Sequence, residues 1–395
     1  MLNAKMLSLG TTRSCIRELF EYGLNQARIV GADYVYDYSL GNPSIPSPSG
    51  VNAAICDIVT HESSLAVHGY TSAPGLSEIR QAVAQDLTQR FQMEIRPENL
   101  FFTCGAAPAL IATIKALCIE RASEFIAIAP YFPEYKPFVE CNGGTFVAIP
   151  ADTQSFQIRF PELEASVTPK TQAVIINSPN NPSGVVYTQD TIQVLSSLLT
   201  HKSQEYGHPI YLIADEPYRE LVYGQVTVPF IPKFYPDTIV CYSYSKSLSL
   251  PGERIGYVLV PDCVTDSQAL FAAVAGAARA MGHVCPPSLI QRVVARCATL
   301  RPDLEAYDRN RTLLYESLTA YGYECAKPDG AFYLFIKAPG GDSQAFSERA
   351  KQENLLVVPG NDFGCPEFFR ICYCVDYEMI QRSLPVFQKL IQQMP

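Results

Sequence analysis

In the stretch AVIINSPNNPSG, Ala173–Gly184, a run of four apolar residues passes through one asparagine into a cluster of Ser, Pro, Asn and Gly. β-Branched residues suit a pleated surface packed on both sides, and the Pro and Asn that follow cannot continue a ladder. The stretch therefore predicts a short buried strand that ends in a polar turn. The same pattern returns in YLIADEPY, Tyr211–Tyr218, and in IVCYSYSK, Ile239–Lys246. Working outward, Phe101–Thr103, Phe125–Ala129, Thr145–Ile149 and Ile255–Val260 read as four more strands of this kind. Most of the seven runs stand far enough apart for a crossover helix, while the sixth and seventh are joined through a long turn. The expected fold class is α/β, with a three-layer αβα large domain around a mainly parallel seven-stranded sheet.

The flanking sequence adds helices. Leu76, Ile79, Val83, Leu87 and Phe91 recur at steps of three and four, so 76–91 is expected to be an amphipathic helix. Residues 288–321 read as one long helix or two in succession, 332–337 as a strand and 377–394 as a closing helix. The Pro/Ser-rich segment GNPSIPSPSG, Gly41–Gly50, is the candidate hinge. It suggests a large domain over 45–290 and a smaller α/β domain built from 1–44 together with 291–395.

Composition narrows the function classes. The 395 residues are 48% hydrophobic and only 17% charged, which suggests a large core or surface hidden against another subunit. A formal net charge of −9 without Lys/Arg clusters argues against nucleic acid as a partner. Thirteen cysteines are scattered without a C-x-x-C pair, and the five histidines do not gather near them, so no metal site is expected. Most of the cysteines, Cys118 and Cys241 among them, read as small buried hydrophobes. No stretch has the length of a membrane span and the N-terminus lacks a signal-peptide core, so a cytoplasmic protein is expected.

In open α/β sheets, ligands bind beyond the carboxyl ends of the strands. Past the first run comes Gly105-Ala106-Ala107, opening a helix, and past the second comes Pro130-Tyr131-Phe132-Pro133. The fourth, fifth and sixth runs are followed by Asn181 in NNPSG, by Asp215 and Tyr218 in DEPY, and by Ser243 and Lys246 in SYSK. Small residues at a helix start, an aromatic ring, an amide, a carboxylate and a lysine are what a phosphorylated, aromatic, carbonyl-bearing cofactor requires.

With SYSKSLSLPGERIGY (Ser243–Tyr257), NSPNNPSG and IADEPY in this order and spacing, the chain resembles the class I/II aminotransferases of the aspartate aminotransferase superfamily, fold type I pyridoxal phosphate enzymes. The resemblance implies that Lys246 forms the Schiff base with pyridoxal 5'-phosphate and later serves as general base. It implies that Asp215 pairs with the pyridine nitrogen, keeping the ring able to accept electrons. Tyr218 and Asn181 then bond the ring oxygen. Ser243 and Arg254 hold the phosphate together with the helix start at Gly105, Ala106 and Ala107, where backbone N–H groups and the helix dipole favour an anion. Phe132 falls where the family stacks an aromatic on the ring, although a core position between two prolines suits it too. Tyr70 matches a tyrosine that reaches the partner's phosphate, which implies a homodimer.

For substrate binding the resemblance points to Arg370 in FFRICY as the clamp on an α-carboxylate, with Asn181 and Gly41 beside it. Gly41 reads equally as a loop glycine. A second basic residue for a distal carboxylate has two candidates, Arg279 and Arg13, and Arg279 reads also as a helix-surface residue. Tyr22, Phe332 and Tyr333 suit either a side-chain pocket or the core. The implied activity is transfer of an amino group between an L-amino acid and a 2-oxo acid by a ping-pong mechanism, with aspartate-type or broad specificity. A carbon–sulfur β-lyase on the same cofactor is the alternative. A non-catalytic ligand-sensing domain is more remote, because only about 40 residues precede GNPSIP.

Overall fold

The structure is a computed structural model that describes residues 2–11 and 14–393; Arg13 and Met394 lie outside the described residues. Among the described residues there are twelve strands: β1 Tyr36–Asp37, β2 Leu100–Thr103, β3 Glu124–Ile128, β4 Thr145–Ile149, β5 Thr171–Asn177, β6 Tyr211–Asp215, β7 Thr238–Ser243, β8 Gly256–Leu259, β9 Tyr333–Lys337, β10 Leu355–Leu356, β11 Val358–Pro359 and β12 Phe368–Cys372. Strands β2 to β8 coincide with the seven apolar runs and make one sheet in the order β2-β8-β7-β6-β5-β3-β4. Pairings β3–β4, β3–β5, β5–β6 and β6–β7 are parallel, whereas β8 runs antiparallel to both β7 and β2. The turn between β7 and β8 has no crossover helix to reverse the chain, so β8 alone points the other way.

Alternation along each central strand explains why the runs are apolar throughout. Val174 and Ile176 of β5 enter the core on one face of the sheet, while Ala173 and Ile175 enter the core on the other. Leu212 and Ala214 against Ile213, and Val240 against Cys241, repeat the division. Each fully buried aliphatic side chain stabilises this arrangement by about 1.5–3 kcal/mol. Helices Ser49–His61, Ser77–Phe91, Gln189–Tyr206 and Ser288–Cys297 contribute to the first core, and Ala106–Leu117 and Ser267–Ala280 to the second. The result is the expected three-layer α/β fold.

The 288–321 stretch is two helices, Ser288–Cys297 and Glu305–Tyr321, because Pro302 interrupts the pattern. The first of these lies against the large sheet's helices, with Ile290, Val293 and Val294 buried there. The second joins a separate core with β9, β12 and the helices Ser343–Gln352 and Tyr377–Gln393. In that region β11, β12 and β9 form an antiparallel sheet, and β1 pairs in parallel with β10. The expectation for the cysteines holds only in part. Cys241, Cys297, Cys365, Cys372 and Cys374 are buried, but Cys118 is half-buried and Cys56, Cys141 and Cys263 are exposed. An apolar neighbour in sequence says nothing about which face of a helix end a thiol takes.

Among the described residues, no helix is long and apolar enough to cross a membrane, and no group of three His, Cys, Asp or Glu could hold a metal ion.

Candidate active site

The ends of β5, β6 and β7, with the first turn of the helix Ala106–Leu117, enclose a cavity of about 340 Å³. Ala106, Ala107, Phe132, Asn181, Asp215, Tyr218, Ser243, Lys246, Arg254, Gly41 and Arg370 all line it. These residues span positions 41 to 370 and are brought together from strands of two sheets, a helix start and loops. Asn177 stands beside Asp215 across β5 and β6, and Ser243 beside Gly256 across β7 and β8.

Asp215 ends β6, buried. Its Oδ2 accepts a hydrogen bond from Tyr135 Oη at 2.5 Å, whereas its Oδ1 has no partner. Burial pushes the carboxyl up to about 7, against the opposing effect of the Tyr135 bond, and Glu216 adds to the rise. An unpaired buried carboxylate oxygen is costly unless a donor meets it, and a protonated ring nitrogen is such a donor.

Lys246 lies on the short turn of helix after β7, half-buried, with Nζ donating to Gly41 O at 2.6 Å and sitting 5.2 Å from the centre of the Phe332 ring. Burial holds its ammonium below the ordinary lysine value; the Cys374 and Cys372 thiols oppose this, and Arg370 and Arg254 add to it. A lowered hold on the proton is the direction that suits a lysine to nucleophilic attack and to base catalysis.

Two guanidinium groups mark the ends of the cavity. Arg254 donates to Pro251 O at 2.8 Å and Ser245 Oγ at 3.3 Å, and it makes no salt bridge among the described residues. Gly105, at φ 96°, stands behind it, and a side chain there would collide with the guanidinium. Gly105 is thus packed against Arg254, and the cavity lining begins at the next residue, Ala106. Ser243 Oγ caps the turn by accepting from Ser245 N and lies 2.8 Å from Ser245 Oγ. At the other end Arg370, buried in β12, donates to Asn181 Oδ1 at 3.1 Å and Ser39 O at 2.5 Å. Its Nε has no partner, and none of the carboxylates among the described residues pairs with it. Tyr218 Oη lies 2.8 Å from Tyr333 Oη.

Under the floor runs a buried ionic network. Arg219 pairs with Glu216 and donates to Tyr257 Oη at 3.2 Å. Glu220 accepts from Arg90 at 2.9 Å and from Tyr242 Oη at 2.5 Å, and Tyr242 Oη is 2.8 Å from Ser247 Oγ. Four of its members adjoin a cavity residue in sequence: Glu216 beside Asp215, Arg219 beside Tyr218, Tyr242 beside Ser243, and Ser247 beside Lys246, whereas Arg90 comes from the helix Ser77–Phe91.

Sequence reasoning missed Tyr135, Asn177, Ser245 and Ile16. Tyr135 reaches Asp215 from the helix Tyr135–Cys141, and Ile16 lines the cavity from the helix Cys15–Val30. Neither belongs to a motif, and only tertiary contact reveals them. Other expected residues stand elsewhere. Tyr70 is 90% exposed and lies outside this cavity. Arg279 is exposed on the helix Ser267–Ala280, and Arg13 falls outside the described residues. Tyr22 lies under Lys351, with Nζ 4.7 Å from the ring centre, and Phe332 is buried core beneath Lys246; of the three pocket candidates only Tyr333 lines the cavity.

A lysine whose burial lowers its hold on the proton, a carboxyl oxygen without a donor and two guanidiniums without carboxylate partners among the described residues, gathered around one cavity, define an enzyme of cofactor-dependent amino-group chemistry. The model of the family "Aminotransferase class I and II" matches residues 34–386, and the chain belongs to that family: it is a pyridoxal phosphate-dependent transaminase. It is 27% identical over 399 aligned residues to aromatic-amino-acid aminotransferase 2 of Thermococcus litoralis, covering 96% of this chain and 95% of that protein. A crystal structure of an amino transferase from Eubacterium rectale superposes with a TM-score of 0.98 at 55% identity, over 100% of this chain and 99% of that one. Aspartate aminotransferase from Thermus thermophilus with maleate gives 0.86 at 25% identity, over 99% and 100%.

Proposed function

We propose that this transaminase moves an amino group between an L-amino acid and a 2-oxo acid in two half-reactions of a ping-pong cycle, at the cavity built around Lys246. The observation that carries the reading is the convergence there of Lys246, the unpaired Oδ1 of Asp215, and Arg254 and Arg370 without carboxylate partners among the described residues. When bound, pyridoxal phosphate supplies a carbonyl that takes up the amino group and a ring that accepts the electron pair from the substrate α-carbon.

Asp215 holds the proton of the ring nitrogen, and Tyr135 steadies the carboxylate from its other oxygen. Tyr218 donates its phenolic hydrogen to the ring oxygen, and Asn181 supplies its amide hydrogen, its Oδ1 being engaged by Arg370. Arg254, Ser243 and the N–H groups at Ala106 and Ala107 receive the phosphate. Phe132, which lines the cavity, would pack against the ring. Arg370 orients the substrate carboxylate with its planar fork, beside the backbone of Gly41. Lys246, lining the same cavity, would be the base that moves a proton at the substrate α-carbon. In a homodimer, Tyr70 of each chain extends to the phosphate of its partner's site. We propose likewise that residues 45–290 form the large domain and 1–44 with 291–395 the small one.

Adding single amino acids to the holoenzyme, without an oxo acid, tests the activity. Pyridoxamine phosphate and a stoichiometric 2-oxo acid are expected, and a second oxo acid should reverse the change. Absence of pyridoxamine phosphate across a broad panel refutes the reading. Release of pyruvate from cystathionine without an added oxo acid assigns a β-lyase instead. In Lys246→Ala the borohydride-reducible bond to the cofactor should vanish; its persistence would exclude Lys246 as the attachment site.

A further inference from the structure

Tyr333 begins β9 and is buried, yet it lines the cavity between the two groups that meet opposite ends of the reacting system. Its hydroxyl is 2.8 Å from that of Tyr218. The guanidinium of Arg370 rests on its ring, 4.8 Å from the centre. The two rings of Tyr218 and Tyr333 meet edge to face at 5.6 Å, and a side chain at Gly41 would strike the Tyr333 hydroxyl. Its oxygen is therefore confined to one place.

A phenol has one hydrogen to give. On the reading above, Tyr218 gives that hydrogen to the ring oxygen, so its own oxygen can only accept from Tyr333. The direction of the pair is thereby set: Tyr333 O–H donates to Tyr218, and Tyr218 O–H donates to the cofactor. Hydrogen bonds in such a chain polarise one another in a low-dielectric site, so Tyr218 becomes the stronger donor. A cation over the Tyr333 ring draws electron density from it and makes its O–H a better hydrogen-bond donor in turn.

We propose that Tyr333 is a positioning residue for transamination, which strengthens Tyr218 as a donor through its hydroxyl and seats Arg370 with its ring. The inference rests on the assignment of Tyr218 to the ring oxygen. It makes one side chain the brace between the ring-oxygen end and the carboxylate end of the site.

Tyr333→Phe keeps the ring and removes only the hydroxyl. The readout is the visible absorbance of substrate-free holoenzyme, titrated with pH. Donation to the ring oxygen favours the form in which the nitrogen joining Lys246 to the cofactor has lost its proton, because the oxygen is then most anionic. Weakening that donation raises the midpoint. Tyr333→Phe should raise it by about 0.5 pH unit, roughly threefold in the proton equilibrium. It should also lower kcat more than it changes KM, since the contact with Arg370 remains. Tyr218→Phe should raise the midpoint further, and adding Tyr333→Phe to it should move the midpoint no more.

A midpoint unchanged in Tyr333→Phe but raised in Tyr218→Phe overturns this inference alone. An unchanged Tyr218→Phe overturns the assignment of Tyr218 as well. Equal shifts from Tyr333→Phe in both backgrounds overturn the route through Tyr218. A raised KM at a constant midpoint makes Tyr333 a substrate contact instead.

Discussion

Replacing Asp215 by asparagine should make the cofactor-free protein less sensitive to alkali. Unfolded, this carboxyl titrates near 3.8; folded and without a partner for Oδ1, it titrates at about 7 because burial disfavours the anion. The folded state therefore holds the proton more tightly, so the contribution to stability is fully present below about pH 4 and is lost as pH rises through 7. The full cost of ionising the folded form is on the order of 4 kcal/mol, and about 3 kcal/mol of it falls between pH 5 and pH 8. Asn keeps the shape and still accepts from Tyr135, but it cannot ionise. At roughly 2 cal/mol/K per residue, 3 kcal/mol corresponds to about 4 °C in a chain of 395 residues. Thermal melts of the two cofactor-free proteins at pH 5 and pH 8 should therefore show wild type losing about 4 °C more than Asp215→Asn. With pyridoxal phosphate bound, a protonated ring nitrogen compensates the carboxylate, and the difference should shrink. Parallel melting temperatures of the two cofactor-free proteins across this range would refute the reasoning, since Asp215 would then not be a carboxyl waiting for a proton.

Two further outcomes follow from the same geometry. Arg370→Lys replaces a planar fork by a point charge, losing a charge-assisted hydrogen bond of about 1.5–3 kcal/mol; KM for the amino acid should rise roughly 10- to 100-fold while the resting absorbance stays as it was, and a rise below threefold would remove Arg370 from the carboxylate. Arg219→Met strips the buried partner from Glu216 and should cost about 3–5 kcal/mol in urea unfolding of the holoenzyme; a loss under about 1 kcal/mol would mean the network contributes little.

Much of this architecture was legible locally. Most of the seven strands could be read because burial on both faces demands near-continuous apolar residues, bounded by Pro, Gly or Asp; β4, at the sheet edge, is largely uncovered. Lys246, Asp215 and Asn181 stand at or just past strand ends, and the resemblance of their motifs to the aminotransferases gave them, and Arg254, their roles. Tyr135 escaped notice because its partner Asp215 is 80 residues away and the seven-residue helix that carries it is too short for a periodic signature. The role of Tyr333 was ambiguous for a similar reason. An aromatic residue in an apolar strand reads the same whether it fills a core or meets a second phenol.

The sequence by itself determined the class of fold, the cofactor and the lysine that should hold it, because strand patterning and strand-end chemistry are properties of short segments. Tertiary structure alone decided which atoms are left wanting a partner: Oδ1 of Asp215, Nε of Arg370, and two guanidiniums facing neutral groups. It also decided that Tyr22 and Phe332 belong elsewhere while Ile16 and Tyr333 face the cavity. The physical reason is that satisfaction of a buried polar group depends on every element packed around it. No segment of the chain contains that information alone.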